Sequence, residues 1–197
     1  MTPELTPDQA LLQWINGGWA SPVLDWLFAW ITDKYRFSFP LLLLLLAWAV
    51  RRERWAGLGG WLGLALTIAL ADGLGSLLKD VLAEARPCAV AHDWVRLIDG
   101  QTCGEALRGM PSNHALLGFA IWAYLVGTKP DWRAWQWVFF AAAVLSALSR
   151  IYLAKHLPSQ VLMGAWVGVV FGLVCAWGVR GLVQAWGAGF QTGPGKR

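Results

Sequence analysis

Three short stretches of the chain place basic side chains and histidines where apolar runs begin or end. They supply Lys79 and Arg86 in KDVLAEARP, His114 in PSNH, and Arg150 with His156 in SRIYLAKHLPSQ. Ammonium and guanidinium groups neutralise phosphate oxygens, and an arginine can meet two of them at once. A histidine can attack phosphorus or can protonate the oxygen that leaves. These residue types therefore indicate phosphoryl transfer, with one histidine in each role.

A phosphate site of this kind gains further donors from the backbone N–H groups at the start of a helix. PSNH stands where the long segment 79–113 enters an apolar run, which makes it the candidate for such a turn. The acidic residues of this region are dispersed rather than gathered at metal-ligand spacing. They are Asp80, Glu84, Asp93, Asp99 and Glu105. We therefore expect metal-independent chemistry with no cofactor.

The composition around these stretches is that of a membrane protein. Of the 197 residues, 57% are hydrophobic and 14% are charged, whereas a soluble domain carries about a quarter charged residues. The apolar runs lack a period of two, and backbone inside a bilayer must satisfy its own hydrogen bonds, so we predict helices. The predicted fold class is all-α, a polytopic transmembrane helical bundle. Its five predicted spans are residues 37–50, 56–78, 114–128, 134–153 and 160–182.

The first part of the chain differs from these runs. The stretch 10–33 is apolar but is interrupted by Gly17, Gly18 and Pro22, which favours two interfacial amphipathic helices over one span. No basic region precedes it, so we expect no cleaved signal peptide. With no linker or repeat to divide it, the chain should form a single domain. We expect interfacial helices over residues 1–35, a transmembrane core over 36–186 and a tail over 187–197.

Five spans would bring the three stretches to the same side of the membrane. Lys and Arg number eight on each side of the membrane. When Lys79, Arg86 and Arg150 are set aside because they are assigned to chemistry, five remain on the side of the three stretches and eight on the opposite side. The side with more basic residues is usually cytoplasmic. We therefore expect an integral protein of the bacterial inner membrane whose site faces the periplasm or outer side.

Helix geometry makes further predictions about the first and third stretches. Lys79 and Arg86 are seven residues apart, two helical turns, so they should share one face of a helix that Pro87 ends. Asp72 lies seven residues before Lys79, where it could be a buried partner for a cation or a residue facing the bundle interior. Pro158 should begin the last helix.

The three motifs together resemble a known signature. Lys-x6-Arg-Pro, Pro-Ser-x-His and Ser-Arg-x5-His, spread between Lys79 and Gln160, are similar to those of the type 2 phosphatidic acid phosphatase superfamily, which includes integral-membrane lipid phosphatases. The resemblance implies that His156 is a nucleophile forming a phosphohistidine and that His114 is the acid for the leaving group. It also implies a phosphate clamp with an oxyanion-binding turn. These would be Lys79, Arg86 and Arg150 with Ser112 and the backbone amide of Asn113.

Two positions depart from the family pattern. The family usually has Gly where this chain has Asn113, and Asn enters the left-handed region readily, so we expect the turn to survive. The family generally has Asp where this chain has Gln160, although glucose-6-phosphatases also carry Gln there. We expect the Gln160 amide oxygen to orient His156 without contributing charge, which would lower activity or shift its pH dependence.

The predicted function is that of a metal-independent membrane lipid phosphatase that removes the terminal phosphate of a phospholipid or polyprenyl diphosphate. Its expected partners are that lipid, whose tail would enter between helices, and the surrounding membrane lipids. The net charge of +4 comes with no basic stripe, so no nucleic-acid partner is expected. One alternative is a lipid phosphotransferase. Another is a non-catalytic lipid-phosphate binder or transporter in which Gln160 marks lost chemistry.

Several residues keep more than one interpretation at this stage. Cys88 and Cys103 could form a disulfide, which needs an oxidising compartment, or remain two thiols. Lys155 could contact the substrate headgroup or extend to the membrane surface. His92 is expected at the surface, and the oligomeric state is open. Five glycines should permit close helix packing: Gly59, Gly60, Gly63, Gly73 and Gly75.

Overall fold

The computed structural model describes residues 4–91 and 94–191, with side chains described up to residue 182. His92 and the end of the predicted tail, residues 192–197, lie outside the described residues. The described part folds into helices joined by loops. In chain order they are α1 (Pro7–Asn16), α2 (Pro22–Thr32), α3 (Ser38–Glu53), α4 (Trp55–Leu82), α5 (Pro87–Val90), α6 (Asn113–Thr128), α7 (Arg133–Tyr152) and α8 (Pro158–Gln191).

The predicted all-α membrane bundle is confirmed. Each of the five predicted spans corresponds to a long helix, namely α3, α4, α6, α7 and α8. The helices that begin at Trp55, Arg133 and Pro158 are long and apolar enough to cross a membrane. The other two, α3 and α6, have 16 residues each, or about 24 Å at 1.5 Å per residue. The number of complete crossings therefore stays a prediction.

Helix α6 is the centre of the bundle. It packs against α4, α7 and above all α8. Three glycines of α8, four residues apart, face the α6 backbone: Gly164, Gly168 and Gly172. A Cβ atom at any of them would lie less than 3.0 Å from a carbonyl oxygen of α6 or of Ser112 before it. The two backbones are therefore in direct contact, as in membrane helix pairs that use small residues.

The five glycines singled out in the sequence divide into two groups. Gly63 packs against the Tyr124 hydroxyl and Gly75 against the Asn113 side chain, and Gly60 lies beside the Lys129 side chain. For these three, close packing is confirmed. A Cβ atom added at Gly59 or Gly73 would have no neighbour within 4 Å, so the prediction was wrong for them.

The N-terminal segment forms two helices rather than one, as predicted. Ser21 accepts a hydrogen bond from the N–H of Leu24 and so caps α2, whose first residue is Pro22. Both helices pack against α7. The Asn16 side chain donates to the carbonyl of Tyr152, at the end of α7, with a distance of 2.7 Å. These contacts place α1 and α2 over the end of the bundle, and their position relative to a bilayer stays a prediction.

A second polar contact attaches the same helices to the long loop before α6. The guanidinium of Arg96 donates to both carboxylate oxygens of Asp25, at 2.9 and 2.8 Å. Its backbone N–H donates to the Asn16 side chain at 2.7 Å. Nothing in the sequence singled out these three residues, because they are distant in the chain and belong to no motif.

The loop itself is closed by a disulfide between Cys88 and Cys103, whose Cα atoms are 5.7 Å apart. The structure thus decides between the two alternatives that the sequence left open. Cys175 is a free thiol within α8.

The end of α4 differs from the prediction. Ala83 adopts a left-handed conformation with φ of 46°, so the helix ends at Leu82. Arg86 is extended, and Pro87 begins α5 instead of ending α4. The chain turns back because the Arg86 N–H donates to the Ala106 carbonyl at 2.8 Å. The expectation that Lys79 and Arg86 share one helix face, with Pro87 ending the helix, was therefore wrong.

Substituting Ala at one glycine of α8 tests the contact between α6 and α8. Gly168→Ala should lower the melting temperature in detergent, because the new Cβ meets the Leu116 carbonyl. Gly178→Ala, on the same helix, should not lower it, because nothing lies within 4 Å and Ala favours a helix by about 1 kcal/mol over Gly. Equal melting temperatures for the two variants would contradict this packing.

Candidate active site

The three sequence stretches meet at one end of the bundle. Lys79 lies in the last turn of α4, Arg150 in the last turn of α7, His114 in the first turn of α6, and His156 in the turn before α8. Arg86 reaches the same end from the extended segment before α5. Lys79 and Arg150 are 6% exposed and His156 is 1% exposed. The bundle therefore buries charged side chains at this end.

The turn between α7 and α8 brings His156 back beside Arg150. The N–H groups of Lys155 and His156 both donate to the Arg150 carbonyl, at 2.9 and 3.2 Å. Ala154 makes this closure possible with a left-handed φ of 52°. Pro158 then begins α8, as predicted from the sequence.

The hydrogen bond made by His156 determines its tautomer. Its Nδ1 lies 2.6 Å from the carbonyl oxygen of Gly109. Since a carbonyl can only accept, Nδ1 carries the proton, and the neutral ring has its lone pair on Nε2. Burial, then the positive charges of Arg150, Arg86 and Lys79, hold the pKa of His156 well below its ordinary value. At neutral pH the ring is uncharged and Nε2 is a competent nucleophile.

Gln160 makes no hydrogen bond to His156, and the expectation that its amide oxygen orients the ring was wrong. The Gln160 Oε1 accepts from the backbone N–H of Leu157 at 3.1 Å, as the third residue of a helix does in a capping box. Its Nε2 donates to the Ala85 carbonyl at 3.0 Å and to the Glu84 carboxylate at 3.2 Å. The side chain therefore caps α8 and holds the segment before Arg86. The Gly109 carbonyl, rather than the Gln160 side chain, orients the His156 ring.

Gly109 is a functional position that the sequence did not reveal. Its N–H donates to the Glu84 carbonyl at 2.7 Å while its carbonyl accepts from His156. A Cβ atom here would lie less than 3.0 Å from the Ala85 carbonyl and from the Gln160 side chain. Only glycine allows the loop to come this close to the site.

His114 lies near Arg150 through a shared neighbour, Thr32, at the end of α2. The His114 Nε2 donates to the Thr32 carbonyl at 3.1 Å. The Arg150 guanidinium donates to the Thr32 hydroxyl at 2.6 Å. Thr32 therefore closes the site from the N-terminal side. No motif contains Thr32, and sequence reasoning missed it.

Asn113 has a simpler role than the sequence suggested. It is the first residue of α6, and its φ is negative, so the left-handed turn expected there does not occur. A helical position accepts Asn without strain. Its Nδ2 donates to the Asp72 carboxylate at 3.0 Å. Asp72 is exposed, so both interpretations, the buried partner of a cation and the residue facing the bundle interior, were wrong.

The cations of the site form no ion pair with a carboxylate in the part of the chain whose side chains are described. Within residues 4–91 and 94–182, no ion pair joins an acid to Lys79, Arg86 or Arg150. Lys79 and Arg86 donate instead to the carbonyls of Arg108 and Cys103, each at 3.1 Å.

Buried polar atoms without a protein partner also concentrate here. Among the described side chains they are Arg86 Nε, Ser112 Oγ, Asn113 Oδ1 and Arg150 Nε. Such atoms are rare in native proteins, and each needs an explanation such as a catalytic role or a bound water or ion. All four belong to residues predicted to bind phosphate. In the same described residues, no group of three or more His, Cys, Asp or Glu side chains could hold a metal ion.

An apolar cavity of about 340 Å³ opens beside His114. Its walls come from α3, α6 and α7, including Leu42, Ile121 and Phe139. His114 is among the residues that line this cavity. The site therefore joins a positively charged region to a hydrophobic one.

Comparison with known proteins places this arrangement in a family. The profile of the PAP2 superfamily matches residues 60–183, well over half of the chain. The chain belongs to the PAP2 superfamily. The resemblance carried by the three motifs is thereby confirmed, since this is the type 2 phosphatidic acid phosphatase family.

Individual PAP2 proteins show similarity of different extent. The chain is 29% identical over 112 residues to the bacitracin transport permease protein BcrC of Bacillus licheniformis, covering 57% of this chain and 52% of that one. It is 32% identical over 126 residues to dolichyldiphosphatase 1 of Callithrix jacchus, covering 56% and 48%. The chain thus spans about half the length of these relatives. The crystal structure of Aquifex aeolicus LpxE superposes with a TM-score of 0.67 at 25% identity, covering 89% of this chain and 98% of that one.

Nitrogen NMR of the imidazoles tests the state of His156. The signals that disappear in His156→Gln should show an Nδ1–H tautomer in the wild-type protein. They should stay neutral as the pH falls through about 6.5, the ordinary histidine pKa, because the buried cations oppose a further positive charge. An Nε2–H tautomer, or protonation with a midpoint near that value, would contradict the geometry.

Proposed function

We propose that this PAP2 protein is a metal-independent membrane lipid phosphatase. Its substrate would be a phospholipid or a polyprenyl diphosphate, from which it removes the terminal phosphate through a phosphohistidine. The observation that carries the proposal is a neutral His156 with its lone pair on Nε2, buried beside three cations that have no acidic partner among the described residues. Such a site attracts a phosphate dianion and contains a nucleophile for it.

The first step would be attack by His156 Nε2 on phosphorus. Lys79, Arg86 and Arg150 neutralise the oxygens of the transferred group, which carry charge in the transition state. Ser112 Oγ and the backbone N–H of Asn113, at the start of α6, supply further donors. As the N–P bond forms, the bond from phosphorus to the leaving oxygen breaks, and that oxygen takes a proton.

His114, protonated at both ring nitrogens once the phosphate dianion is bound, is the proposed source of that proton. Its Nε2–H now points at the Thr32 carbonyl, so the leaving oxygen would take the place of that carbonyl as acceptor. In the second step the neutral His114 accepts a proton from water, which attacks phosphorus and releases inorganic phosphate. Gln160 acts in neither step, and its proposed role is to hold α8 and the segment before Arg86 in position.

The apolar cavity beside His114 supports a lipid substrate. A hydrocarbon chain bound between α3, α6 and α7 would leave its phosphate at the cations, because His114 lines the cavity. The relative named dolichyldiphosphatase supports a phosphorylated lipid as well.

The disulfide supports the proposed location of the site. Cys88 and Cys103 lie in the loop that covers this end of the bundle, and disulfides persist in oxidising compartments such as the periplasm. The site of an inner-membrane protein would then face the periplasm or outer side, as the distribution of basic residues predicts.

Two other functions remain as alternatives with distinct products. A phosphotransferase would pass the phosphate from His156 to a second lipid, and product analysis with and without a lipid acceptor separates it from a phosphatase. A binder or transporter would release no phosphate from a short-chain lipid phosphate. The name of the relative BcrC, a transport permease, is the observation that favours this last alternative.

Substitution of the two histidines tests the mechanism. His156→Gln should abolish both turnover and acid-labile labelling by substrate carrying radioactive phosphate, while the melting temperature stays near that of the wild type. His114→Gln should lower kcat by about 10²–10⁴, the usual contribution of a general acid or base. Turnover or labelling that persists in His156→Gln would refute the assignment.

Metal dependence can be measured on the wild-type protein. Phosphate release from a lipid phosphate should be unchanged by EDTA, because the cations of the site are side chains. A requirement for added Mg²⁺ would count against the proposed mechanism.

A further inference from the structure

The site contains a fourth cation, which is buried and which the phosphoryl transfer does not use. Lys155 is 8% exposed and immediately precedes His156. Its Nζ donates to the side-chain oxygen of Gln101 at 3.0 Å. Among the described residues, no carboxylate forms an ion pair with it. A lysine that merely extended to the membrane surface would have its ammonium in water, and this one does not.

Burial and neighbouring positive charges both destabilise the protonated form of Lys155. Burial, then the positive charges of Arg150 and Arg86, lower the pKa of Lys155 to about 8. The same three groups would be stabilised together by an anion placed between them. In the proposed mechanism Lys79, Arg86 and Arg150 neutralise the phosphoryl group that is transferred. A fourth cation beside them therefore matches a substrate that carries more negative charge than one phosphoryl dianion.

The position of Gln101 shows where that additional charge would lie. Gln101 and Thr32 line a second cavity of about 310 Å³, between the end of α2 and the loop before α6. Gln101 contacts Lys155, and Thr32 contacts both His114 and Arg150. Since His114 faces the leaving oxygen in the proposed mechanism, this cavity lies on the leaving-group side of the site.

We infer that Lys155 binds the second, non-transferred phosphate of a lipid diphosphate and thereby selects lipid diphosphates over lipid monophosphates. The inference rests on the proposed phosphatase function and adds a specificity-determining residue to it. A monophosphate has no group that could reach Lys155 on this side, because its leaving oxygen is attached directly to the lipid chain.

Cleavage of a lipid diphosphate would proceed through a phosphohistidine in two steps. The His156 Nε2 lone pair forms a bond to the terminal phosphorus, and the bond between that phosphorus and the bridging oxygen breaks. The bridging oxygen keeps the electron pair and receives the proton of His114, leaving a lipid monophosphate. Lys155 moves from Gln101 to the oxygens of this departing phosphate and stabilises their charge. Water then hydrolyses the phosphohistidine to inorganic phosphate.

A matched pair of substrates tests the inference. We would measure kcat/KM for farnesyl diphosphate and farnesyl monophosphate, which share one hydrocarbon chain. Lys155→Gln should lower the ratio of diphosphate to monophosphate kcat/KM by about tenfold or more, as expected for loss of a charge-assisted hydrogen bond. Lys155→Arg should restore most of the ratio. Lys129→Gln, the same substitution beside Glu53 at the opposite end of the bundle, should leave the ratio unchanged.

Binding measured by calorimetry makes the test independent of turnover. Wild-type protein should bind inorganic diphosphate more tightly than inorganic phosphate, and Lys155→Gln should reduce this difference. An equal fall of both kcat/KM values in Lys155→Gln, or no preference for diphosphate in the wild type, would overturn the inference and leave the phosphatase proposal intact. Failure of the wild type to hydrolyse either lipid, with diphosphate still preferred in binding, would instead overturn the phosphatase proposal.

Discussion

The direct backbone contact between α6 and α8 is the constraint on which the rest of the site depends. Gly164 brings the first turns of both helices together, and the Ser112 N–H donates to the Gln160 carbonyl at 3.1 Å. The proposed phosphate-binding turn before α6 and His156, the proposed nucleophile before α8, are therefore held by one interface. A side chain in that interface would separate them, because close-packed helices cannot absorb an added Cβ without moving.

Electrostatic repulsion works against this arrangement. Lys79, Arg86, Arg150 and Lys155 are gathered with no acidic partner among the residues described. Burying charge without a counter-charge is unfavourable. Part of that cost is offset by oxygen atoms, since the Arg108 and Cys103 carbonyls and the Thr32 hydroxyl accept hydrogen bonds from the cations. An anionic ligand bound between the cations would offset the rest of that cost.

The N-terminal helices contribute residues to the site. Asn16 and Asp25 attach α1 and α2 to the end of α7 and to the loop that follows α5. Thr32 consequently meets His114 and Arg150, where its carbonyl and hydroxyl accept hydrogen bonds from these two side chains. Helix α2 also forms one wall of the cavity that contains Gln101.

Much of the fold and of the residue content of the site could be predicted from the sequence. Long apolar runs must be helices in a bilayer, since the backbone has no other partner there. The types and order of the residues in the three motifs indicated phosphate chemistry before any distance was known. The break at Gly17 and Pro22 likewise predicted two N-terminal helices, because these residues interrupt a helical run.

The tertiary structure decided how those residues are held. The left-handed Ala83 ends α4 early and moves Arg86 off the helix, which spacing alone did not indicate. Gln160 was assigned to His156 by analogy, yet the imidazole proton goes to the Gly109 carbonyl because the loop passes closer. A chain sequence determines which groups are available and where helices form, since both depend on local composition. Which donor meets which acceptor depends on loops and backbone carbonyls distant in sequence, and only packing brings them together.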